Sequence, residues 1–181
     1  MNLERIYILT GPINSGKSAF LSQLAEALRA EGILPGGFIA DKHFTESGDL
    51  SYHIRDVQTA RSLPLSSGKY TEGWIMIGKF YFNPGAIALW SELLSGIKNG
   101  SANLIIIDEI GPFELEDMLW AGAISYLLTA TNLPMIWVVR SGLVKPVLTK
   151  WHIQKPVIID IKGTTVQQAA KQILSKLAVN H

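Results

Sequence analysis

Gly11-Pro12-Ile13-Asn14-Ser15-Gly16-Lys17-Ser18 stands directly after the apolar run Ile6-Tyr7-Ile8-Leu9-Thr10, and the two together decide the fold. The octapeptide carries the G-x-x-x-x-G-K-[ST] spacing. Glycines at those points let the backbone turn tightly with its N–H groups pointing inward, where they and the N-terminus of a following helix cradle phosphate oxygens. Gly11, Pro12, Ile13, Asn14, Ser15, Gly16, Lys17, Ser18 and Ala19 are therefore the expected nucleotide-binding set. Lys17 is expected to set a point charge against the β- and γ-phosphates, and the Ser18 hydroxyl to ligate Mg²⁺.

The flanks supply the order that such a loop requires. Beyond Lys17, Phe20, Leu21, Leu24 and Leu28 recur at helical spacing among polar residues, and the pattern stops at Gly32, a C-terminal cap. Gly36-Gly37-Phe38-Ile39-Ala40 reads as a second strand whose glycines imply close backbone approach in the core sheet. From Asp41 to about Tyr81 the texture changes to short alternating pieces, Leu50–Val57 and Trp74–Ile77 among them, broken by Gly48, Pro64, Gly68 and Gly73. These are expected to be antiparallel hairpins inserted between core elements. Asn83-Pro84 then opens a helix carrying Ile87, Trp90, Leu94 and Ile97 on one face, with Gly100 after its end. Leu104–Ile107 is a wholly apolar run, as for a parallel strand buried on both faces. A helix is predicted over Glu114–Thr129, a buried strand over Met135–Val139 and a last strand over Val157–Ile159. The final helix is announced by Thr164-x-x-Gln167 as a capping box. Alternating strands and helices predict an α/β fold with a mainly parallel sheet.

A chain of 181 residues that is 48% hydrophobic and 17% charged suits one substantial core, so one domain spanning 1–181 is expected. Sixteen basic against 15 acidic residues, scattered along the chain, give no electrostatic support for a nucleic-acid partner. With no cysteine there is no disulfide, thiolate metal site or cysteine nucleophile, and a reducing compartment fits. The start, Met1-Asn2-Leu3-Glu4-Arg5, has no basic region feeding an apolar core. No apolar run approaches the ~20 residues of a membrane span, so a cytoplasmic protein without a membrane partner is expected. A nucleoside triphosphate is the expected ligand, and no protein partner is indicated.

A phosphate loop binds; other groups must hold the metal and activate water. Four apolar residues ending in Asp108-Glu109 form the pattern in which a carboxylate, at the end of a strand beside the phosphate-loop strand, holds Mg²⁺, usually through its waters. Asp108 is the expected metal-side residue. Glu109 is placed to orient and deprotonate an attacking water, which makes hydrolysis available. Between Lys17 and Asp108 lie at least one core strand and the hairpins, so the metal-side strand is not expected to be the next sheet neighbour in sequence. That is the arrangement of additional-strand, catalytic-glutamate ATPases rather than of the kinase and GTPase branch. The chain contains no guanine-reading N-K-x-D, which disfavours a GTP-specific switch.

With Gly37-Phe38, Gly78-Lys79-Phe80, Ile106-Ile107-Asp108-Glu109-Ile110-Gly111-x-x-Glu114 and Lys145-Pro146 added to the phosphate loop, nearly the whole chain resembles the small P-loop nucleoside-triphosphatases first described in thermophiles. The resemblance implies a RecA-like fold and Mg²⁺-dependent hydrolysis of nucleoside triphosphates to diphosphate and phosphate, with broad base tolerance and slow turnover. Two departures stand out. Where that family tends to have G-K-M-E-L, this chain has Gly111-Pro112-Phe113-Glu114-Leu115; where it has G-F-Y-T-E-E, this chain has Gly37-Phe38-Ile39-Ala40-Asp41-Lys42, turning an acidic position basic.

Three further residues are candidates for the site. Arg140, at the tip of a buried strand, is read as a γ-phosphate sensor or a surface arginine. Glu114 is read as a site residue or as a carboxylate suited to its helix dipole. Lys79 is read as facing the site or solvent. His43, His53, His152 and His181 show no metal-ligand spacing, and Trp74, Trp90, Trp120, Trp137 and Trp151 read mostly as core, with base stacking open to one of them. Two rivals to hydrolysis remain: a small nucleotide, nucleoside or polynucleotide kinase with residues 41–81 as a lid, and a nucleotide-dependent binding module with negligible turnover.

Overall fold

The computed structural model describes residues 5–98 and 100–179; the reading of Met1–Glu4 and of His181 lies outside them. One nine-stranded mixed sheet organises the chain, in the order β5-β6-β4-β3-β2-β7-β8-β1-β9. Its strands are β1 (Ile6–Gly11), β2 (Pro35–Phe44), β3 (Leu50–Asp56), β4 (Ser62–Ser67), β5 (Ile75–Ile77), β6 (Phe80–Phe82), β7 (Leu104–Ile110), β8 (Met135–Arg140) and β9 (Val157–Asp160). β2, β7, β8, β1 and β9 pair in parallel, whereas β3, β4, β6 and β5 extend β2 in antiparallel pairing.

The parallel half forms because its strands are apolar on both faces and helices cover both. Alternate residues divide into two clusters. Tyr7, Leu9, Leu104, Ile106, Ile136 and Val138 pack beneath α1 (Lys17–Ala30) and α6 (Val166–Val179). Ile6, Ile8, Ile105, Ile107, Met135 and Trp137 pack beneath α2 (Pro84–Lys98), α4 (Ala121–Ala130) and α5 (Val144–Lys150). Asn83 caps α2 as expected, its side-chain oxygen accepting from the Gly85 N–H at 2.9 Å. The Gly36-Gly37 reading also holds: a Cβ on Gly37 would lie 2.0 Å from the Ile106 carbonyl oxygen, and φ there is +105°.

Several sequence expectations need correction. β2 runs on to Phe44 because, after Phe38, it exchanges its parallel partner β7 for its antiparallel partner β3. The antiparallel hairpins expected over 41–81 are present, and they extend the core sheet through β3, β4, β6 and β5. The predicted helix over 114–129 is two: a short α3 (Pro112–Leu115) and α4, with Asp117 and Leu119 between them at φ 61° and 45°. Those left-handed residues reverse the chain so that Trp120 tucks against Phe38, ring centroids 5.0 Å apart. The capping box lies one residue later than predicted. Thr165 N–H donates to Gln168 Oε1 at 2.8 Å, and Gln168 N–H to Thr165 Oγ1 at 3.2 Å. The additional-strand expectation holds: β8 lies between β1 and β7, so the Asp108 strand is one strand removed from the phosphate-loop strand. That inserted strand is what the additional-strand arrangement requires.

Candidate active site

β1 ends at Gly11 and α1 begins at Lys17, leaving Pro12–Gly16 as the loop. Gly16 takes φ +86°, where no neighbour lies within 4 Å of a would-be Cβ, so the left-handed conformation and not space makes glycine the fitting residue. Gly16 offers no side chain to cap α1, and the first turn carries no acidic residue, so its N–H groups face an anion without competition. Ser15 Oγ donates to the Pro12 carbonyl at 2.8 Å and fixes the loop from within. Lys17 is buried and donates to the carbonyls of Pro12 at 2.7 Å and Gly11 at 3.3 Å. Burial lowers its pKa; Glu109 and Asp108 oppose that shift, while Arg140 and Lys42 reinforce it.

The acidic pair closes the other side. Asp108 is 1% exposed; one carboxylate oxygen accepts from the Ala40 N–H at 3.2 Å, and the other is buried without a hydrogen-bond partner. Burial pushes its pKa up to about 7, against the opposing effect of the Ser18 hydroxyl. A hard divalent cation fits this donor set, an orphaned buried carboxylate oxygen beside a serine hydroxyl. Among the described residues no cluster of three or more His, Cys, Asp or Glu side chains is placed to hold a metal.

Glu109 is ion-paired with Arg140, Nε to Oε1 2.5 Å. The β7–β8 pairing sets Ile110 opposite Val139 and so brings these two strand ends together, and Arg140 also stands opposite Gly11 in the β1–β8 pairing, beside the start of the phosphate loop. Arg140 is thus brought into the site. Glu114 lies beside Glu109, which acts on it electrostatically, and its buried carboxyl accepts from the Gly111 N–H at 2.8 Å and from its own and the Trp120 N–H groups. Burial pushes its pKa up to about 7. It braces the turn that follows Glu109. Lys79 is exposed in the turn between β5 and β6, its ammonium 5.5 Å over the Phe80 ring. Phe80 in turn meets Phe113, so the Pro112-Phe113 departure belongs to packing of this hairpin on α3. Ala19 is exposed in the first turn of α1. Trp90, Trp120, Trp137 and Trp151 are buried, as the core reading expects.

Two residues neighbour the site that the sequence does not assign to it, Lys42, marked there only as a basic departure, and Tyr52. Lys42 donates a hydrogen bond to Asn14 Oδ1 in the loop. Tyr52 stands opposite Lys42 across the β2–β3 pairing, and its pKa is raised by burial and then by Glu109, with Arg140 opposing. The residue spacing carries no sign of either, because only the sheet register brings β2 and β3 to the phosphate loop.

A strand–loop–helix phosphate cradle, with an Asp-Glu strand end one strand removed, defines a phosphate-loop α/β nucleotide-binding protein of the additional-strand type. The chain belongs to the family described as NTPase, whose model matches residues 6–175. It is 28% identical over 142 residues to nucleoside-triphosphatase THEP1 of Sulfolobus acidocaldarius, covering 77% of this chain and 78% of that one. It is 30% identical over 139 residues to nucleoside-triphosphatase THEP1 of Methanothermobacter thermautotrophicus, covering 75% and 77%. In structure it is similar to crystalline THEP1 from Aquifex aeolicus, with TM-score 0.65, 18% identity and coverage of 96% and 98%. The solution structure of a human cancer-related nucleoside triphosphatase is similar as well, with TM-score 0.70, 18% identity and coverage of 98% and 99%. These two likenesses concern the fold.

Proposed function

We propose that this chain is a Mg²⁺-dependent nucleoside-triphosphate phosphohydrolase that converts NTP and water to NDP and phosphate, with broad base tolerance and slow turnover. One observation carries the residue assignment: Glu109 is held by Arg140 at the strand tip opposite Gly11, so a carboxylate able to take a proton from water faces the phosphate loop. Membership of the NTPase family supports the reaction class.

In this reading the 11–18 loop and the start of α1, including Ala19, bind the phosphates through backbone N–H groups. Lys17 turns its ammonium from the Pro12 and Gly11 carbonyls toward the β- and γ-phosphate oxygens. Asp108 and Ser18 would hold Mg²⁺, which when bound neutralises charge on the phosphate oxygens. Glu109 orients water in line with the γ-phosphorus and accepts its proton. Arg140 keeps that carboxylate aimed and brings positive charge near the transferring group. The rate then comes chiefly from positioning and preorganised charge.

The test is phosphate release from ATP, GTP, CTP and UTP with Mg²⁺ under multiple turnover. Wild type is expected to release phosphate from all four. Glu109→Gln is expected to lose about 10²–10⁴-fold in kcat while still binding nucleotide, and Lys17→Ala to lose both binding and turnover. Nucleotide binding by wild type without any phosphate release would overturn the hydrolase.

A further inference from the structure

β2 outruns its parallel partner. Its last residue paired with β7 is Phe38, opposite Ile107, and the strand continues to Phe44 on the strength of β3 alone. Lys42 therefore stands four residues, or about 13 Å, past the end of that parallel pairing. It projects over the crevice outside the carboxyl ends of the strands, where ligands of open α/β sheets bind. Period two puts Phe38, Ala40 and Lys42 on one face. From there the Lys42 ammonium reaches Asn14 Oδ1, an exposed loop residue held at φ 58°.

Two facts make this more than a strut between strand and loop. An ammonium has three N–H donors, and Asn14 uses one. Lys42 acts electrostatically on Lys17, together with Glu109, Asp108 and Arg140, so it belongs to the charge cluster of the site.

We propose that Lys42 is a phosphate-contacting residue supplied in cis, which keeps Asn14 with one N–H and offers the others to the terminal phosphate of a bound triphosphate. This rests on the nucleotide reading above but not on hydrolysis. The consequence is discrimination: a contact to the terminal phosphate strengthens triphosphate binding and leaves diphosphate binding little changed.

Calorimetric titration with Mg²⁺ and either a non-hydrolysable ATP analogue or ADP provides the test. Lys42 is exposed, so its replacement leaves the core intact. Lys42→Ala is expected to weaken the analogue about 10-fold and ADP by less than about 3-fold, the size of one solvent-facing charged hydrogen bond. Lys42→Glu is expected to widen the gap and Lys42→Arg to restore most of the analogue affinity. Equal losses for both ligands in Lys42→Ala, or no loss for either, would overturn the proposal and leave Lys42 as a strut for the loop. Failure of wild type to bind the analogue would remove the nucleotide reading and this inference together. Binding without phosphate release would remove hydrolysis alone and leave the comparison of the two ligands as informative as before.

Discussion

The parallel strands and the antiparallel strands share one sheet, yet they meet solvent in different ways. In β1 and β8, Ile6–Leu9 and Met135–Val139 are wholly buried, with helices on both faces. In the extension Ile54, Leu65 and Phe82 face the cluster beneath α2, while Ile75 and Met76 on β5 are exposed. A backbone buried on both faces has no freedom to shift, so its carboxyl-end loops hold Lys17, Asp108, Glu109 and Arg140 in fixed relation. The antiparallel pairing contributes differently: Lys42 and Tyr52 reach back to that end from the stretch of β2 beyond its pairing with β7 and from β3. Phosphate-binding and acidic groups thus come from the parallel strands, and these two further contacts from the antiparallel β2–β3 pair.

The seam between the halves gives the largest expected effect. Gly37 sits where β2 passes from β7 to β3, and a methyl group there would meet the Ile106 carbonyl oxygen at 2.0 Å with φ at +105°. Both the clash and the strained backbone oppose alanine, so Gly37→Ala is expected to destabilise the fold by on the order of 4 kcal/mol, read as a lowered denaturation midpoint. A Gly37→Ala protein with wild-type stability would mean that the seam yields, and the contrast between a rigid and an adaptable half would fail.

What could be read from the sequence was local. The phosphate loop, the Asp108-Glu109 strand end, the Gly36-Gly37 contact and the Asn83 cap each depend on residues adjacent in the chain. The capping box shows why one-residue errors arise: Thr164-Thr165-Val166-Gln167-Gln168 contains two boxes in overlapping register. The helix uses the later one, with Ala169, Ala170 and Ile173 turned into the core. The α3–α4 break was hidden because the apolar spacing runs on through Asp117 and Leu119, and left-handed backbone leaves no apolar signature. α5 was missed because Pro146 looks like a breaker, although within the first helical turn its absent N–H costs nothing. Lys42 and Tyr52 were invisible as site neighbours because their meeting with the phosphate loop is a matter of sheet register.

Glu114 tests how firmly the rigid half holds its acidic end. Its carboxyl titrates near 7 in the fold against an ordinary value of 4.5, because burial favours the neutral form. The folded state therefore binds the proton more tightly than the unfolded chain does. Stability is complete below about pH 4.5 and is lost as pH rises through 7, by on the order of 3 kcal/mol. Asp108 acts with the same sign. Glu114→Gln keeps an acceptor for the Gly111 N–H and removes the ionisation, so denaturation midpoints between pH 5 and 8 should slope less than in wild type. An unchanged slope would assign the pH dependence to other groups.

The smallest effect concerns the attachment of the extension's outer hairpin. Phe113, from α3, meets Phe80 and Phe82 edge to face with ring centroids at 6.3 and 5.5 Å, and its ring lies 3.3 Å from a would-be Cβ on Gly78. It is half-buried, so Phe113→Ala is expected to cost about 1–2 kcal/mol, less than for a fully buried phenylalanine. The loss should be confined. Hydrogen exchange is expected to quicken at the β5–β6 amides and to stay at wild-type rates in β1 and β8, which lie beyond β4, β3, β2 and β7 in the sheet. Faster exchange across β1 and β8 as well would show that the two halves open as one cooperative unit, with the hairpin part of the frame that holds the phosphate loop. Exchange confined to the hairpin would show that the parallel half keeps its geometry while the outer extension moves.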